Sequence, residues 1–238
     1  MIALIVTAFT PHGVVLSRPW GVALDGLLAS VVWHRRKAQI AATGGRLAYC
    51  HDVDPEPLEL PLARCGDDAD WHWMATFADL HPRPDGELID PDIRWRTSRT
   101  DRHRLQQLAP VIGSQVVSDS AGRYQRRIVP VMAHPATSLT WRAVGDPESI
   151  RDLLTDLGSI GKHRGVGEGL VSRWEVTEAP GIDLWSAGHE HAPGVVGRTV
   201  PLRCLPAGQD TARPVEVAAI RPPYVHPASR TRCYSPDR

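Results

Sequence analysis

LTWRAVGDPESIRDLLTDLGSIGKHRGVGEGLVSRWEVT, residues 139–177, decides the fold. Leu139 to Val144 is a β-prone run and predicts a strand. Gly145 turns the chain, Asp146 is placed to cap a helix, Pro147 suits its first position and Glu148 its first turn. Ile150, Leu153, Leu154 and Leu157 then recur at i, i+3, i+4 and i+7, which puts one apolar stripe on a core. Five glycines punctuate Gly158 to Gly169, and Leu170 to Thr177 closes the stretch as another strand.

Upstream, Ile128 to Ala133 is a further β-like run. Ile2 to Phe9 is an apolar strand, and Pro11 to Pro19 is a loop. Leu24, Leu27, Leu28 and Val31 follow helical spacing, with Asp25 in the first turn, where a carboxylate suits the helix dipole better than acid catalysis. That helix is expected to end in His34, Arg35, Arg36 and Lys37, before the Gly44-Gly45 break. Arg46 to Cys50 reads as a short strand, Asp54 to Pro61 as extended chain, and Gly113 to Gly122 as a loop in an insertion. Trp71, Trp73 and Phe77 form an aromatic patch, either core or interface. Strand, helix, strand, insertion, strand, strand, helix, glycine-rich loop, strand is an α+β order, the split βαβ or ferredoxin-like pattern. After about residue 180 the chain turns rich in Pro and Gly, which predicts short strands and extended pieces wrapped on the core.

The 238 residues suffice for a sizeable core. No stretch approaches the roughly 20 apolar residues of a membrane span. The apolar start lacks a basic flank and a cleavage site, so a cytoplasmic location is expected. Basic and acidic residues balance at 27 each, so any nucleic-acid partner must meet a local basic face and not a basic whole. The four cysteines, at 50, 65, 204 and 233, include no CxxC pair. They read as reduced and unconnected, with a composite of Cys50, His51 and Cys233 as the alternative. Neither a metal nor a cofactor is expected.

Chemistry concentrates in four places. In the glycine-rich loop, Gly161, Gly165 and Gly167 let the backbone approach a ligand, while Lys162, His163 and Arg164 add cationic or titratable groups, so a phosphate backbone is the natural ligand. The loop is not a Walker motif, because GxxxxGK[ST] spacing is absent and it follows a helix. A long hairpin with a solvated basic tip fits the spacing equally well. The second place is Arg94, Trp95, Arg96, Arg99, Arg102, His103 and Arg104, where arginine forks could pair phosphates and Trp95 stack on a base. The third is Tyr124, Arg126 and Arg127, and the fourth is Arg35 and Arg36 at the basic helix end. Each alone is an ordinary charged face; together on a split βαβ core they point to RNA. His163 and His103 are the candidates for a general base in a metal-independent ribonuclease, the competing function. GxSxG, HExxH and EF-hand motifs are absent.

These features resemble the RAMP superfamily of CRISPR-associated proteins. Leu24-Asp25-Gly26-Leu27-Leu28-Ala29 is similar to a helix start of the type IV Cas-five-like subunit. Tyr124 to Pro130, Trp141 to Asp146 and Ile160 to Gly167 follow that subunit's second half in order, and Arg221-Pro222-Pro223-Tyr224-Val225-His226-Pro227, then Cys233 and Pro236, resemble its C-terminal signature. The likeness runs from residue 2 to 236 and is weakest in the insertion. It implies an RRM-like RAMP domain over 1–178 with a thumb-like insertion at about 84–127, and a C-terminal region, 179–238, packed on the core. It implies a ribonucleoprotein of antiviral defence in which this subunit caps the 5′ handle of the CRISPR RNA without cutting it. The implied partners are that RNA, the backbone filament subunit and the large subunit, with the target nucleic acid met indirectly. Related subunits often place an aromatic among these glycines where this chain has Val166 and Glu168. A carboxylate beside RNA is unfavourable, so Glu168 is expected to point away.

Overall fold

Strand β1, Ile2–Phe9, buries Leu4, Val6 and Ala8 on one face and leaves Ile5, Thr7 and Phe9 half-buried on the other. This alternation is the period-two rule of a pleated strand. The computed structural model containing it describes residues 1–17, 21–56, 58–66, 69–81, 91–98, 101, 104–105, 107, 120–121, 125–206 and 213–237. Helix α1, Leu24–Ala42, turns Leu24, Leu27, Leu28 and Val31 into the core. It runs past the basic cluster where the sequence suggested an end. Ala38 to Ala42 contains good helix formers, and termination waits for Gly44, whose positive φ and bond to the Ala41 carbonyl close the last turn.

Strands β2, Arg64–Cys65, and β3, His72–Trp73, form a two-stranded ladder, and β4 spans Asp79–His81. Strands β5, Asp92–Ser98, and β6, Arg127–Ala133, form a separate antiparallel ribbon. After them come β7, Ser138–Gly145, helix α2, Pro147–Leu154, and β8, Arg173–Glu178. The main sheet has the order β4-β7-β1-β8, with every pairing antiparallel. Helices α1 and α2 share one core with it, built around Leu4, Val6, Trp141, Leu28, Ile150 and Leu154. Asp146 caps α2 through its carboxylate and the Ser149 N–H, 2.8 Å away, and Pro147 follows it.

The chain beyond the last core strand contains helix α3, Leu184–His189, besides the short strands β9, Glu190–Ala192, β10, Val195–Val196, β11, Val200–Pro201, β12, Val215–Ala219, and β13, Arg230–Tyr234. Helix α3 is too short for its apolar period to be read. Its start is set by Asp183, which accepts from the Ser186 N–H. Ala187 of α3 packs on the second face of the sheet with Ala3, Val144 and Ala179. The whole is a mixed α/β architecture with mostly antiparallel sheets and, among the described residues, three α-helices. No described helix is long and apolar enough to cross a membrane.

One further expectation needs correction, and two others have their outcomes here. Arg46 to Cys50 joins no strand; it is irregular chain beside a cleft of about 710 Å³ lined in part by Trp33, Tyr49, Trp71 and Pro223. Trp73 and Phe77 are buried core, and only Trp71 of that aromatic patch is half-buried. The Gly113 to Gly122 stretch lies mostly outside the described residues.

Candidate nucleic-acid interface

The glycine-rich loop leaves α2 and closes into a tight base. Ile160 N–H donates to Gly169 O at 2.8 Å, and Val171 N–H to Gly158 O at 3.0 Å. Lys162 N–H donates to Val15 O at 2.8 Å, which ties the loop to the chain leaving β1. Gly161 and Gly169 both have positive φ, and a Cβ on either would collide with a carbonyl oxygen, of Val15 and of Ile160 respectively. Only glycine serves at these two positions. The tip is a 3-10 turn, Arg164–Val166, entered through His163 in the left-handed region. Lys162, His163, Arg164, Gly165, Val166 and Gly167 are all exposed.

Glu168 departs from this pattern by being buried. Its carboxylate accepts from Arg94 Nη1 at 2.8 Å and forms a shorter contact with Arg96 Nη2. Burial, the largest single influence, pushes the Glu168 carboxyl up; Arg96 and Arg94 outweigh it and hold the group below the usual carboxylate range. Glu168 does point away from solvent, and its partners are the arginines assigned above to phosphate. Arg94 also donates to Asp92 and to the His12 carbonyl. One face of the β5–β6 ribbon is thereby pinned to the glycine-rich loop, and Val131 and Ala133 of β6 pack on Val15 beside it.

The opposite ribbon face is open. Cross-strand pairs Ile93–Met132, Trp95–Pro130 and Thr97–Ile128 share it, and Trp95 is 65% and Ile128 69% exposed. An indole that exposed on a rigid ribbon is available for stacking. Arg127 is exposed at the ribbon's end and Arg126 lies just before it. Arg104 is exposed, with its N–H on the Asp101 carboxylate. Arg99, Arg102, His103 and Tyr124 lie outside the described residues. Arg35 is engaged elsewhere, bonding Asp152 and Asp156 at 2.5 and 2.7 Å across the α1–α2 contact, and Arg36 pairs with Glu56. No described carboxylate or second imidazole hydrogen-bonds to the ring of His163.

Glu168→Gln should loosen this clamp. It removes the charge from two charge-assisted bonds, each of the class worth about 2 kcal/mol. Faster amide exchange in β5–β6, with the main sheet unchanged, is the expected result by hydrogen-exchange mass spectrometry. Unchanged exchange in the ribbon would show that the apolar contacts at Val15 suffice alone.

A second cluster lies apart from these residues. Cys65 on β2 and His72 on β3 stand directly opposite each other. His189 ends α3, and Cys204 ends a 3-10 turn, Leu202–Cys204. Cys65 Sγ and Cys204 Sγ are 3.1 Å apart, and His72 Nε2 and His189 Nε2 are 2.9 Å apart. Two of the cysteines expected to be unconnected therefore meet. Burial pushes the His72 imidazole down to about 3, and the Arg198 charge acts in the same direction. The alternative composite does not assemble: Cys50 is exposed, Cys233 is buried against the Glu216 carbonyl, and the His51 carbonyl faces His226 Nε2.

The chain matches no family model and no curated protein.

Two side chains of the C-terminal stretch Arg221 to Pro227 have structural roles. Tyr224 OH donates to the Asp25 carboxylate at 2.8 Å. Arg221 donates to the Ala69 and Trp71 carbonyls and lies over the Trp71 ring. These residues fasten the tail to α1 and to the chain before β3.

Proposed function

We propose that this chain is a non-catalytic RNA-binding subunit of a type IV CRISPR effector complex, of the RAMP class, which caps the 5′ handle of the guide RNA. The observation that carries the proposal is the juxtaposition of two elements. The tip of the glycine-rich loop, with Lys162 and Arg164 exposed, is fastened through Glu168 to one face of a ribbon that exposes Trp95 on its other face. Cations for phosphate and an aromatic for an unstacked base are the complement that single-stranded RNA needs. The order β4-β7-β1-β8, with two helices on one face, also agrees with a ferredoxin-like split βαβ core. Strand β5 of the ribbon falls within the 84–127 stretch and β6 begins at its end. Its open apolar face, Ile93, Trp95, Ile128 and Met132, suits a filament subunit as well as bases.

Charge balance overall means that affinity must come from these few cations. Replacing Lys162 and Arg164 together with Ala is expected to weaken RNA binding and to flatten its salt dependence by about 0.7 per lost phosphate contact in a log–log plot. An unchanged slope would remove the loop tip from the site. Co-purification of the tagged chain with its genomic neighbours tests the larger assignment. Short RNAs sharing one 5′ end are expected, crosslinked at 162–167; a partner protein bound with no RNA would instead favour a purely structural subunit.

A further inference from the structure

We infer that Cys65, His72, His189 and Cys204 form a structural zinc site that staples the C-terminal region to the β2–β3 ladder. The four donor atoms all lie within 4.8 Å of one another. Zinc–sulfur bonds of about 2.3 Å and zinc–nitrogen bonds of about 2.0–2.1 Å give tetrahedral edges of about 3.8 Å between sulfurs, 3.6 Å between sulfur and nitrogen and 3.3 Å between nitrogens. The measured edges include 3.1 Å between the sulfurs, 2.9 Å between the nitrogens, and 3.4 and 3.8 Å from Cys204 Sγ to His189 and His72. These four edges lie within about 0.7 Å of the tetrahedral values, and the two from Cys65 Sγ to the imidazoles are no longer than 4.8 Å. The sulfurs are too far apart for a disulfide, whose bond is about 2.05 Å.

Proton positions favour a cation over hydrogen bonding alone. His189 Nδ1–H donates to the Trp185 carbonyl at 2.7 Å, so His189 Nε2 presents a lone pair to the cluster. The same ring stacks on Trp185, whose indole N–H donates to the Cys204 carbonyl. One ligand is thus oriented by a backbone carbonyl and the other's backbone is held by the neighbouring aromatic, the supporting arrangement usual around metal-bound histidine. His72 turns its own Nε2 to the same point, and its Nδ1 is buried without a hydrogen-bond partner. Two imidazole nitrogens and two sulfurs thus converge on one point, where a single divalent cation can take all four donor atoms at once. Two thiolates also balance the charge of Zn²⁺, so the filled site is neutral in a region that already buries Arg198.

Thiolate and imidazole ligands in equal number suit zinc among the common metals. Four protein donors complete a tetrahedron and leave no position for water or substrate, which makes the site structural and not catalytic. The inference is independent of the RNA-binding proposal, since none of its residues belongs to the loop or ribbon.

The test begins with the full chain purified without chelator and analysed for metal by mass spectrometry. About one zinc per chain is expected from a closed four-ligand site. Cys204→Ser and His189→Ala should lose it, whereas Cys50→Ser and Cys233→Ser should keep it. Because ligand variants could fail to fold, wild-type protein stripped of zinc is also titrated with cobalt(II). Visible bands of tetrahedral cobalt, with a thiolate charge-transfer band in the near ultraviolet, are expected, and zinc should abolish them. Folded wild-type protein with no zinc and no such cobalt spectrum would overturn the inference. So would a Cys65–Cys204 disulfide found by peptide mapping, since it consumes both thiolates.

Discussion

Arg198→Ala is expected to destabilise the protein by about 3–5 kcal/mol, the usual cost of breaking a buried charged network from one side. Arg198 is fully buried. Its guanidinium donates to the carbonyls of Trp73, Ala75, Thr199 and Ile220, and Nη2 lies 3.9 Å from Asp25 Oδ2. One side chain therefore satisfies carbonyls from the β3 region, from the chain beside β11 and from the end of β12. Alanine would take a donor from each of them in a buried site, where the Trp73 carbonyl keeps a backbone partner, the Ala75 N–H, and would leave Asp25 without its cation. Lysine should not rescue, because its ammonium lacks the planar fork that spans these acceptors. Urea unfolding of wild type, Arg198→Ala and Arg198→Lys measures this directly. A loss below about 1 kcal/mol, the size of an ordinary surface change, would mean that the network relaxes or hydrates. In an Asp25→Asn background the same substitution should cost less than in wild type, since the two side chains share one network.

Asp25 itself carries the second large effect, and it depends on pH. Burial pushes its carboxyl up to about 6, against the lowering pulls of Arg198, the Tyr224 hydroxyl and the Gly26 N–H. The unfolded chain titrates this group near its ordinary value, about 4. Between those values the folded state binds the proton more tightly, so the contribution of Asp25 to stability falls as pH rises from about 4 to about 6. Two pK units correspond to about 3 kcal/mol. Asn cannot ionise, so the stability of Asp25→Asn relative to wild type should rise by up to that amount across the window and stay level above it. Asp146, Asp156, Glu168 and Asp183 are held below the usual range and act oppositely at lower pH, so the difference between the two proteins is the quantity to follow. A difference constant from pH 4 to 7 would show that Asp25 titrates normally in the fold.

The elements that could be read from the sequence are those whose signals are local. Asp146-Pro147 and the stripe Ile150, Leu153, Leu154 mark α2 almost to the residue, because capping and helical period both act within a few positions. Strand β1 is legible because its run is long and apolar. Helix α1 ends later than its basic cluster suggests because such a cluster is only a bias, whereas a glycine at positive φ stops a helix outright. Strands β2 and β3 are two residues each, and no period exists at that length. In the cysteine–histidine cluster the Cys65–Cys204 and His72–His189 contacts span 139 and 117 positions, so no spacing rule could join its two halves. Within it, Cys65 and His72 are seven positions apart around the acidic sequence 67–70, a spacing that a two-stranded ladder brings face to face. Glu168 is buried on Arg94 and Arg96, and that clamp depends on a ribbon whose register is tertiary information.

The hydrogen bonds at the base of the glycine-rich loop also bear on the thermodynamics of the proposed recognition. Glycine loses more conformational entropy on ordering than any other residue. Here Ile160–Gly169, Gly158–Val171 and Val15–Lys162 are already joined in the folded chain. Most of that entropy loss therefore belongs to the folding reaction and not to the encounter with a ligand. A loop prepared in this way can combine a glycine-rich composition with the affinity of a rigid one, because preorganisation removes an ordering penalty from the bound state.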